Sequence, residues 1–390
     1  MNIAILGTGT KYPDLCMSNN DLLKYCGGNT GNFIFQFAIE KLFQGGERVV
    51  SFPDLQLDEE SIVTMKNSDF VVVPCADFIN TDYELTELWH RLQWSEVPVI
   101  PIGLGISGSF QEIDIARILP NSQRVLDHFK KYAPIIFVRG KSTENILLSM
   151  GFEQSRIKVI GCPSNFISEN YLLKEKLSEG LIKSRLLPLE HLSFVITGDR
   201  YWNDETIQTE MDLYKIFRKF KNSIYLLQSH RPLIDLIRPN FSSREFSSLA
   251  KDLLYLGSRL NPEGEILDLI EDIAMRYKIF FDTDEWFYEV SKFDLSLGLR
   301  LHGNMASFQS GVPSLWITHD YRTSELVSTM QLPQVTSSEL HNVVVESVFQ
   351  SPLFDLFENQ MDCYFQKREE LFDIFNCGLK DQGINLQSIS

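Results

Sequence analysis

Leu295-Ser296-Leu297-Gly298-Leu299-Arg300-Leu301-His302-Gly303-Asn304-Met305-Ala306-Ser307 is the stretch from which the rest of the chain is read. An apolar alternating run ends abruptly in Arg-Leu-His-Gly and passes into helix-like sequence rich in Ala, Ser and Phe. A second short strand, Pro313–Thr318, follows and ends in His319-Asp320-Tyr321-Arg322. A guanidinium and an imidazole therefore stand where a strand hands over to a helix. In open α/β sheets that carboxyl edge is where ligands bind. Helix N-termini hold anions through unpaired backbone N–H groups. The same position lowers a histidine's pKa, and a bound anion raises it. His302 is thus expected to be poised near neutrality, able to give a proton once an anion arrives. Plainer readings stay open: Arg300 pairing with a neighbouring carboxylate, and His302 capping its helix.

The same rhythm extends outward in both directions. Apolar runs at Ile3–Leu6, Val49–Phe52, Phe70–Val73, Val97–Ile102, Ile135–Val138 and Lys158–Ile160 predict strands. Helical spacing separates them at Asn32–Phe43, Tyr83–Leu92, Gln123–Tyr132 and Ser142–Met150, the pattern of a parallel sheet with crossover helices. Asn80–Tyr83 and Gly103–Glu112 read as loops at the sheet edge. Strand character disappears between Ser164 and Glu190, which places the domain junction there. It returns at Leu192–Ile196, Ser223–Gln228 and Lys278–Phe281, with helices at Glu205–Lys221 and Glu285–Ser291. The expected fold class is α/β: two doubly wound, Rossmann-like domains facing a cleft. The expected divisions are 1–175, 176–335 and a helical tail at 336–390 that packs back on the first domain. Residues after Gly378 are expected to fray.

Bulk properties narrow the function. A chain of 390 residues exceeds one comfortable core, so two domains are expected. The net charge of −16 argues against nucleic acid, whose phosphate backbone demands a basic surface. It leaves room for an anionic substrate, because a local arginine cluster can dominate one cleft. Cys16, Cys26, Cys75, Cys162, Cys363 and Cys377 form no Cys-x-x-Cys pair or Cys/His cluster, so buried free thiols are expected and no metal site is indicated. The N-terminus lacks the basic and apolar regions of a signal peptide, and no run is long enough to cross a bilayer. A cytoplasmic protein is expected.

Other candidate residues follow from the same geometry. Arg322 ends the strand–loop step after His302, and Arg139 ends Ile135–Val138 in the first domain, from where it could reach across the cleft. Either could instead be a solvated helix-start arginine. Asp199-Arg200 after Leu192–Ile196, and His230-Arg231 after Ser223–Gln228, point to the same edge, unless they are hydrogen-bonded loop residues. Tyr201, Trp202, Trp286 and Tyr288 could stack on a sugar or simply pack. Gly27–Asn32 reads as a Gly-rich loop or merely a tight turn before a helix. His90, His128, His191 and His341 read as structural or surface residues.

Phe137-Val138-Arg139-Gly140-Lys141-Ser142, with Gly151 closing its helix, then Arg300-Leu301-His302-Gly303 and Gly311-Val312-Pro313, resembles the polysaccharide pyruvyl transferase family. The likeness runs from Gly27 to about Met330. It implies a two-domain fold similar to that of GT-B glycosyltransferases. It also implies transfer of the pyruvyl group of phosphoenolpyruvate onto two hydroxyls of a sugar, forming a ketal and releasing phosphate. Carried over residue by residue, His302, Arg139 and Arg322 are the expected catalytic groups. Arg300, with Leu301 and Gly303 around it, is expected to bind substrate. Two loops depart from the family pattern: Gly31-Asn32 stands where many members have Gly-Asp, and Val73-Pro74-Cys75-Ala76-Asp77-Phe78 where many have a Gly-rich run. Asn29, Asn32 and Asp77 are expected on the acceptor side, with Arg200, His230 and Arg231 also offered to substrate.

The implied reaction needs no cofactor beyond phosphoenolpyruvate as donor substrate. The implied acceptor is a sugar, nucleotide sugar or lipid-linked saccharide, the last placing the protein at a membrane periphery. Two alternatives remain at this stage: a GT-B-like glycosyltransferase using a nucleotide sugar, with Glu325 as a candidate ribose ligand, and a non-catalytic glycan-binding homologue.

Overall fold

A computed structural model of the chain describes residues 1–12, 14, 16–44, 48–53, 59–107, 114–346 and 349–389. Two parallel sheets organise it. The first contains β1 (Asn2–Gly7), β2 (Arg48–Pro53), β3 (Phe70–Pro74), β4 (Val99–Leu104), β5 (Ile136–Val138) and β6 (Ile157–Val159), in the order β2-β1-β3-β4-β5-β6. The second contains β7 (Phe194–Thr197), β8 (Ile224–Leu226), β9 (Tyr277–Lys278), β10 (Leu295–Gly298) and β11 (Ser314–Trp316), in the order β11-β10-β7-β8-β9. Ile5, Val72, Ile100, Phe137, Ile196 and Leu297 are all fully buried, as expected of strands covered by helices on both faces. The α/β, doubly wound, two-lobed architecture anticipated from the sequence is what the chain adopts. In the second sheet β7 and β10 are neighbours whose connections run off in opposite directions, so their carboxyl ends flank the crevice where such sheets bind ligands.

Several elements differ from expectation. The featureless stretch after Ser164 contains the helix Asn170–Leu186, and residues 175 and 176 lie inside it. Its buried face is a narrow row, Leu173, Leu177 and Leu181, too thin to stand out among charged neighbours. The irregular region between β8 and β9 holds three helices, Arg231–Ile237, Phe246–Leu260 and Ile266–Arg276. Gly103 and Leu104 belong to β4 rather than to a loop, and 108–112 of that expected loop lie outside the described residues. The six cysteines are free as expected, but Cys16, Cys363 and Cys377 are exposed and only the other three are buried.

Three segments tie the lobes together. Residues 10–12 and 16–25 leave the first lobe and dock on the second: Tyr12 N–H donates to the Phe281 carbonyl (2.8 Å), and Asn19 Nδ2 donates to the buried Asp235 carboxylate (2.7 Å). The helix Tyr321–Met330 returns from the second lobe to meet the first. The helix Gln350–Lys380 spans both. Its Tyr364 packs edge-on to Phe308 of the second lobe (4.9 Å), and its Phe375 meets Phe137 of β5 (4.7 Å). Beyond it the chain does not fray. Gln387 N–H donates to Leu42 (2.8 Å), Asn170 N–H donates to the Ile389 carbonyl (2.6 Å), and Ile384 and Ile389 are buried. The apolar spacing of Ile384 and Ile389 was the available signal. Phe375→Ala should cost about 3–5 kcal/mol, because the ring fills a junction between Phe137 and Phe166 that cannot collapse; chemical denaturation measures it, and a loss under about 1 kcal/mol would mean the helix is not part of the core.

Candidate active site

The carboxyl ends of β3, β5, β7 and β10 converge on one cleft of about 580 Å³. Asp77 and Arg139 enter it from the first lobe; Arg200, Arg300, His302 and Arg322 enter from the second. The backbone around His302 is held by many partners. Buried Asn304 accepts from Thr197 Oγ1 (2.9 Å) and Ser296 Oγ (2.9 Å) and donates to the Gly298 carbonyl (3.0 Å), while Trp316 Nε1 donates to the Leu301 carbonyl (3.2 Å). Gly303 lets the helix Leu301–Gln309 lie close on β7, since a Cβ there would meet Gln228 Nε2 at 2.7 Å and Thr197 Cγ2 at 2.9 Å. Arg300, its N-cap, offers no side-chain cap, so the first amides of the helix face the cleft end without one.

One carboxylate joins the lobes. Asp77 Oδ1 accepts from Arg139 Nη1, and Asp77 Oδ2 accepts from Arg322 Nη1. Burial pushes the Asp77 carboxyl upward, but Arg322 and Arg139 outweigh it and hold the pKa below the ordinary aspartate value. Arg322 is raised in turn by Asp77, against the effect of burial. Asp320 sits 3.5 Å from Arg322 Nη2 and is depressed: burial opposes, but His319 and Arg322 prevail. Four guanidiniums, Arg139, Arg200, Arg300 and Arg322, thus face the carboxylates Asp77, Asp199 and Asp320, with Lys24, Glu84 and Glu87 also on the cleft wall.

His302 does not rest near neutrality. Burial, with Arg139 and Arg322 beside it, pulls its pKa down to about 3, so the ring is uncharged in the empty cleft. Phe35 lies against it at 5.4 Å, and its Nε2 is 3.4 Å from Cys162 Sγ, which accepts from Ser164 Oγ (3.0 Å). Sequence reasoning passed over Cys162, because its only signal was a cysteine followed by Pro163 just beyond β6.

Arg300 takes the plainer role left open for it. Nε donates to the Asp199 carboxylate and Nη2 to Ser229 Oγ (2.7 Å), so most of the fork is occupied by protein even though the residue lines the cleft. Asp199 is fully buried, left-handed at φ 75°, and also accepts from the Gln228 and Ser229 N–H groups (3.1 and 3.2 Å). A non-glycine residue held there is strained, and such strain concentrates at functional sites.

The remaining expectations divide. Asn29 and Asn32 line the first-lobe wall, but Asn29 Oδ1 accepts from Gly31 N–H (2.8 Å) and Asn32 Nδ2 donates to Cys26 (2.8 Å), so both shape their own loop. Leu301 and Gly303 sit at the helix start as expected. Arg231 is not in the cleft: it donates to Asp235 (2.8 Å) and binds Asn20, anchoring the crossing segment. His230 is set back from the cleft, hydrogen-bonded to Tyr201 and stacked on Trp202 at 4.6 Å, with its pKa lowered to about 4 chiefly by burial. Trp286 is buried core and Tyr288 is a surface residue. Glu325 is no ribose ligand here. It caps the first-lobe helix Lys141–Ser149, accepting from Ser142 N–H (2.7 Å) and Thr143 N–H (3.2 Å), and Gly140 leaves room for it. Among the described residues no group of three or more His, Cys, Asp or Glu is placed to hold a metal ion, and no helix is long and apolar enough to cross a membrane.

Guanidiniums from both lobes of this α/β protein thus stand around a histidine at a sheet switch point. The family model for polysaccharide pyruvyl transferase matches residues 9–321, and the chain belongs to that family. It is a transferase of polysaccharide modification. Comparison with curated proteins found no match. Among solved structures, HepE from Anabaena in complex with UDP and glucose is similar at 10% identity and a TM-score of 0.49, covering 98% of this chain and 99% of that one. UDP-GlcNAc 2-epimerase from Neisseria meningitidis bound to UDP-GlcNAc is similar at 11% identity and a TM-score of 0.43, covering 92% and 94%. Likeness at that level says nothing of ligand or reaction.

The depressed His302 has a measurable consequence. Between its unfolded value of 6.5 and about 3, the unfolded chain binds a proton there that the folded chain does not, so this residue's contribution to stability is present above pH 6.5 and is lost as pH falls. His302→Asn should remove about one proton from the slope of unfolding free energy against pH between 6 and 4, roughly 1.4 kcal/mol per pH unit. Parallel slopes for the two proteins in urea titrations would refute it.

Proposed function

We propose that the protein moves the pyruvyl group of phosphoenolpyruvate onto two hydroxyls of a sugar, as a ketal, with release of phosphate. The observation that carries this reading is the convergence of Arg139 and Arg322, from opposite lobes, on the single carboxylate of Asp77 beside uncharged His302. Phosphoenolpyruvate presents a carboxylate and a phosphate close together, and guanidinium forks suit both. Asp77 holds the Arg139 and Arg322 forks side by side. The donor adds its oxygens to the remaining N–H groups and the free helix amides.

Protonation follows donor binding. Two of the three causes that depress His302 are the charges of Arg139 and Arg322, which the donor's anionic groups offset, so the imidazole takes up a proton as the donor enters. It gives this proton to the methylene carbon, leaving the central carbon oxocarbenium-like. The first sugar hydroxyl adds there and its proton returns to His302. Phosphate leaves with the electron pair of its C–O bond, neutralised by Arg139 and Arg322, a contribution of several kcal/mol in a cleft poor in water. The second hydroxyl closes the ketal, and its proton goes to phosphate. Cys162 Sγ, 3.4 Å from Nε2, helps hold the orientation of the ring.

Two measurements test this. His302→Ala should lower phosphate release from phosphoenolpyruvate in the presence of sugar acceptors by about 10²–10⁴-fold with the fold intact; turnover like the wild type would remove His302 from the chemistry. Asp77→Asn leaves Arg139 unopposed and Arg322 with Asp320 alone, which should cost about 2 kcal/mol of stability, recovered by millimolar inorganic phosphate. An Asp77→Asn protein whose melting temperature ignores phosphate would mean that the cleft is not an anion site.

A further inference from the structure

The two nitrogens of His302 meet different surroundings. The residue lines the cleft and is only partly enclosed, and its Nδ1 has no hydrogen-bond partner among the described residues. Its Nε2 is 3.4 Å from Sγ of Cys162, which is buried and lies behind the cleft wall. The main chain at Cys162 is fixed. Gly161 turns the chain after β6 in the left-handed region at φ 76°, where a Cβ would meet Met330 Cγ at 2.5 Å. The Cys162 N–H donates to Met330 Sδ (3.4 Å), and its carbonyl accepts from Asn165 N–H (3.0 Å). Pro163 then opens the short 3₁₀ turn Pro163–Phe166. From this first-lobe turn the thiol reaches across to a histidine of the second lobe.

Ser164, Cys162 and His302 form a row in which one arrangement of protons satisfies every group. Buried Ser164 Oγ donates its proton to Cys162 Sγ at 3.0 Å. Burial raises the Cys162 thiol, against the opposing effect of Arg139, so sulfur keeps its proton at neutral pH. Among the described residues that S–H has no acceptor except His302 Nε2. A thiol is a weak donor, but an unprotonated imidazole nitrogen accepts from it. With Nε2 accepting, the proton of the uncharged ring sits on Nδ1, because the hydrogen bond at one nitrogen sets the tautomer at the other. Sulfur also serves the charged ring: Nε2–H then donates to the Sγ lone pairs, and S–H turns aside. A carboxylate in the same place could only accept, and would draw a proton onto the resting ring.

We propose that Cys162, oriented by Ser164, is a positioning residue for His302: its thiol holds Nε2 at the back of the cleft and makes Nδ1 the nitrogen that exchanges a proton with substrate. This rests on the reading of His302 as proton donor and sharpens it. In the transfer the Nδ1–H bond of the charged ring breaks, and a C–H bond forms at the methylene carbon with the electron pair of the C=C bond. The ring is left neutral, its remaining proton on Nε2 and directed at sulfur. The first sugar hydroxyl then returns its proton to Nδ1. Cys162 meets no substrate and gives up no proton; it acts only through the orientation and tautomer of the ring.

The test combines nitrogen-15 NMR of histidine-labelled protein with phosphate-release assays on wild type, Cys162→Ala and Cys162→Ser, with thermal unfolding to confirm the fold. The His302 signals are assigned by their loss in His302→Asn. Ligand-free wild type at neutral pH should carry the His302 proton on Nδ1. Cys162→Ala should lose that preference and lower kcat by about tenfold or more, with KM for phosphoenolpyruvate changed less than about threefold. Cys162→Ser, whose hydroxyl both donates and accepts, should keep the proton on Nδ1 and recover most of the rate. The inference is overturned if wild-type His302 is protonated on Nε2, or if its tautomer is the same in Cys162→Ala. It is overturned too if Cys162→Ser is as slow as Cys162→Ala, which would reduce the thiol to packing. A tautomer that responds as expected, in a wild-type protein that releases no phosphate from phosphoenolpyruvate with any acceptor, would sink the donor assignment and leave the hold of Cys162 on the ring standing.

Discussion

The bridge from Arg139 through Asp77 to Arg322 is the constraint around which the molecule is arranged. A buried carboxylate or guanidinium is costly unless partnered, and removing one partner leaves the others exposed to that cost. Here Asp77 and Arg139 belong to the first lobe and Arg322 to the second, so the electrostatic requirement is also a geometric one: the lobes must stay at the distance that closes the Asp77–Arg322 pair. The helix Tyr321–Met330 is positioned by the same requirement, since it carries Arg322 to Asp77 and, one turn on, Glu325 to the N-terminus of Lys141–Ser149. That carboxylate complements the positive end of a first-lobe helix.

The cleft formed in this way is preorganised rather than hinged open. Residues 10–12 and 16–25 cross from the first lobe to the second, the helix Gln350–Lys380 packs on both, and the tail beyond it closes against Leu42 and Asn170. A rigid cleft suits chemistry that depends on fixed donors aimed at developing charge, because no reorganisation is needed at the moment of reaction. Burial first, and then Arg139 and Arg322 beside it, keep His302 uncharged at neutral pH.

The second-lobe side is held just as closely. Asp199 adopts a left-handed conformation so that one carboxylate can meet Arg300 and two backbone N–H groups of the loop after β8. Arg300 is thereby held by protein partners at the cleft wall, while Arg200 pairs only with Asp320, at 3.9 Å. The division of labour among four arginines comes from which carboxylates reach them.

The sequence by itself determined the architecture and the location of the site. Strands buried on both faces must be runs of Val, Ile and Leu, and helices between them must show their own period, so alternation is visible without any long-range information. The Arg-Leu-His-Gly junction was legible for the same reason, since strand end, helix start, cation and imidazole are local. The tertiary structure decided the rest. Asp77 is 62 residues from Arg139 and 245 from Arg322, so no local pattern reveals that one carboxylate satisfies both. Arg231 and Arg200 looked alike along the chain, each following a strand, yet one is consumed by Asp235 and the other faces the cleft. Charge pairing and burial depend on what folds back from afar, and those are the quantities that set His302 neutral, fixed Arg300 to Asp199, and set Arg200 beside Asp320.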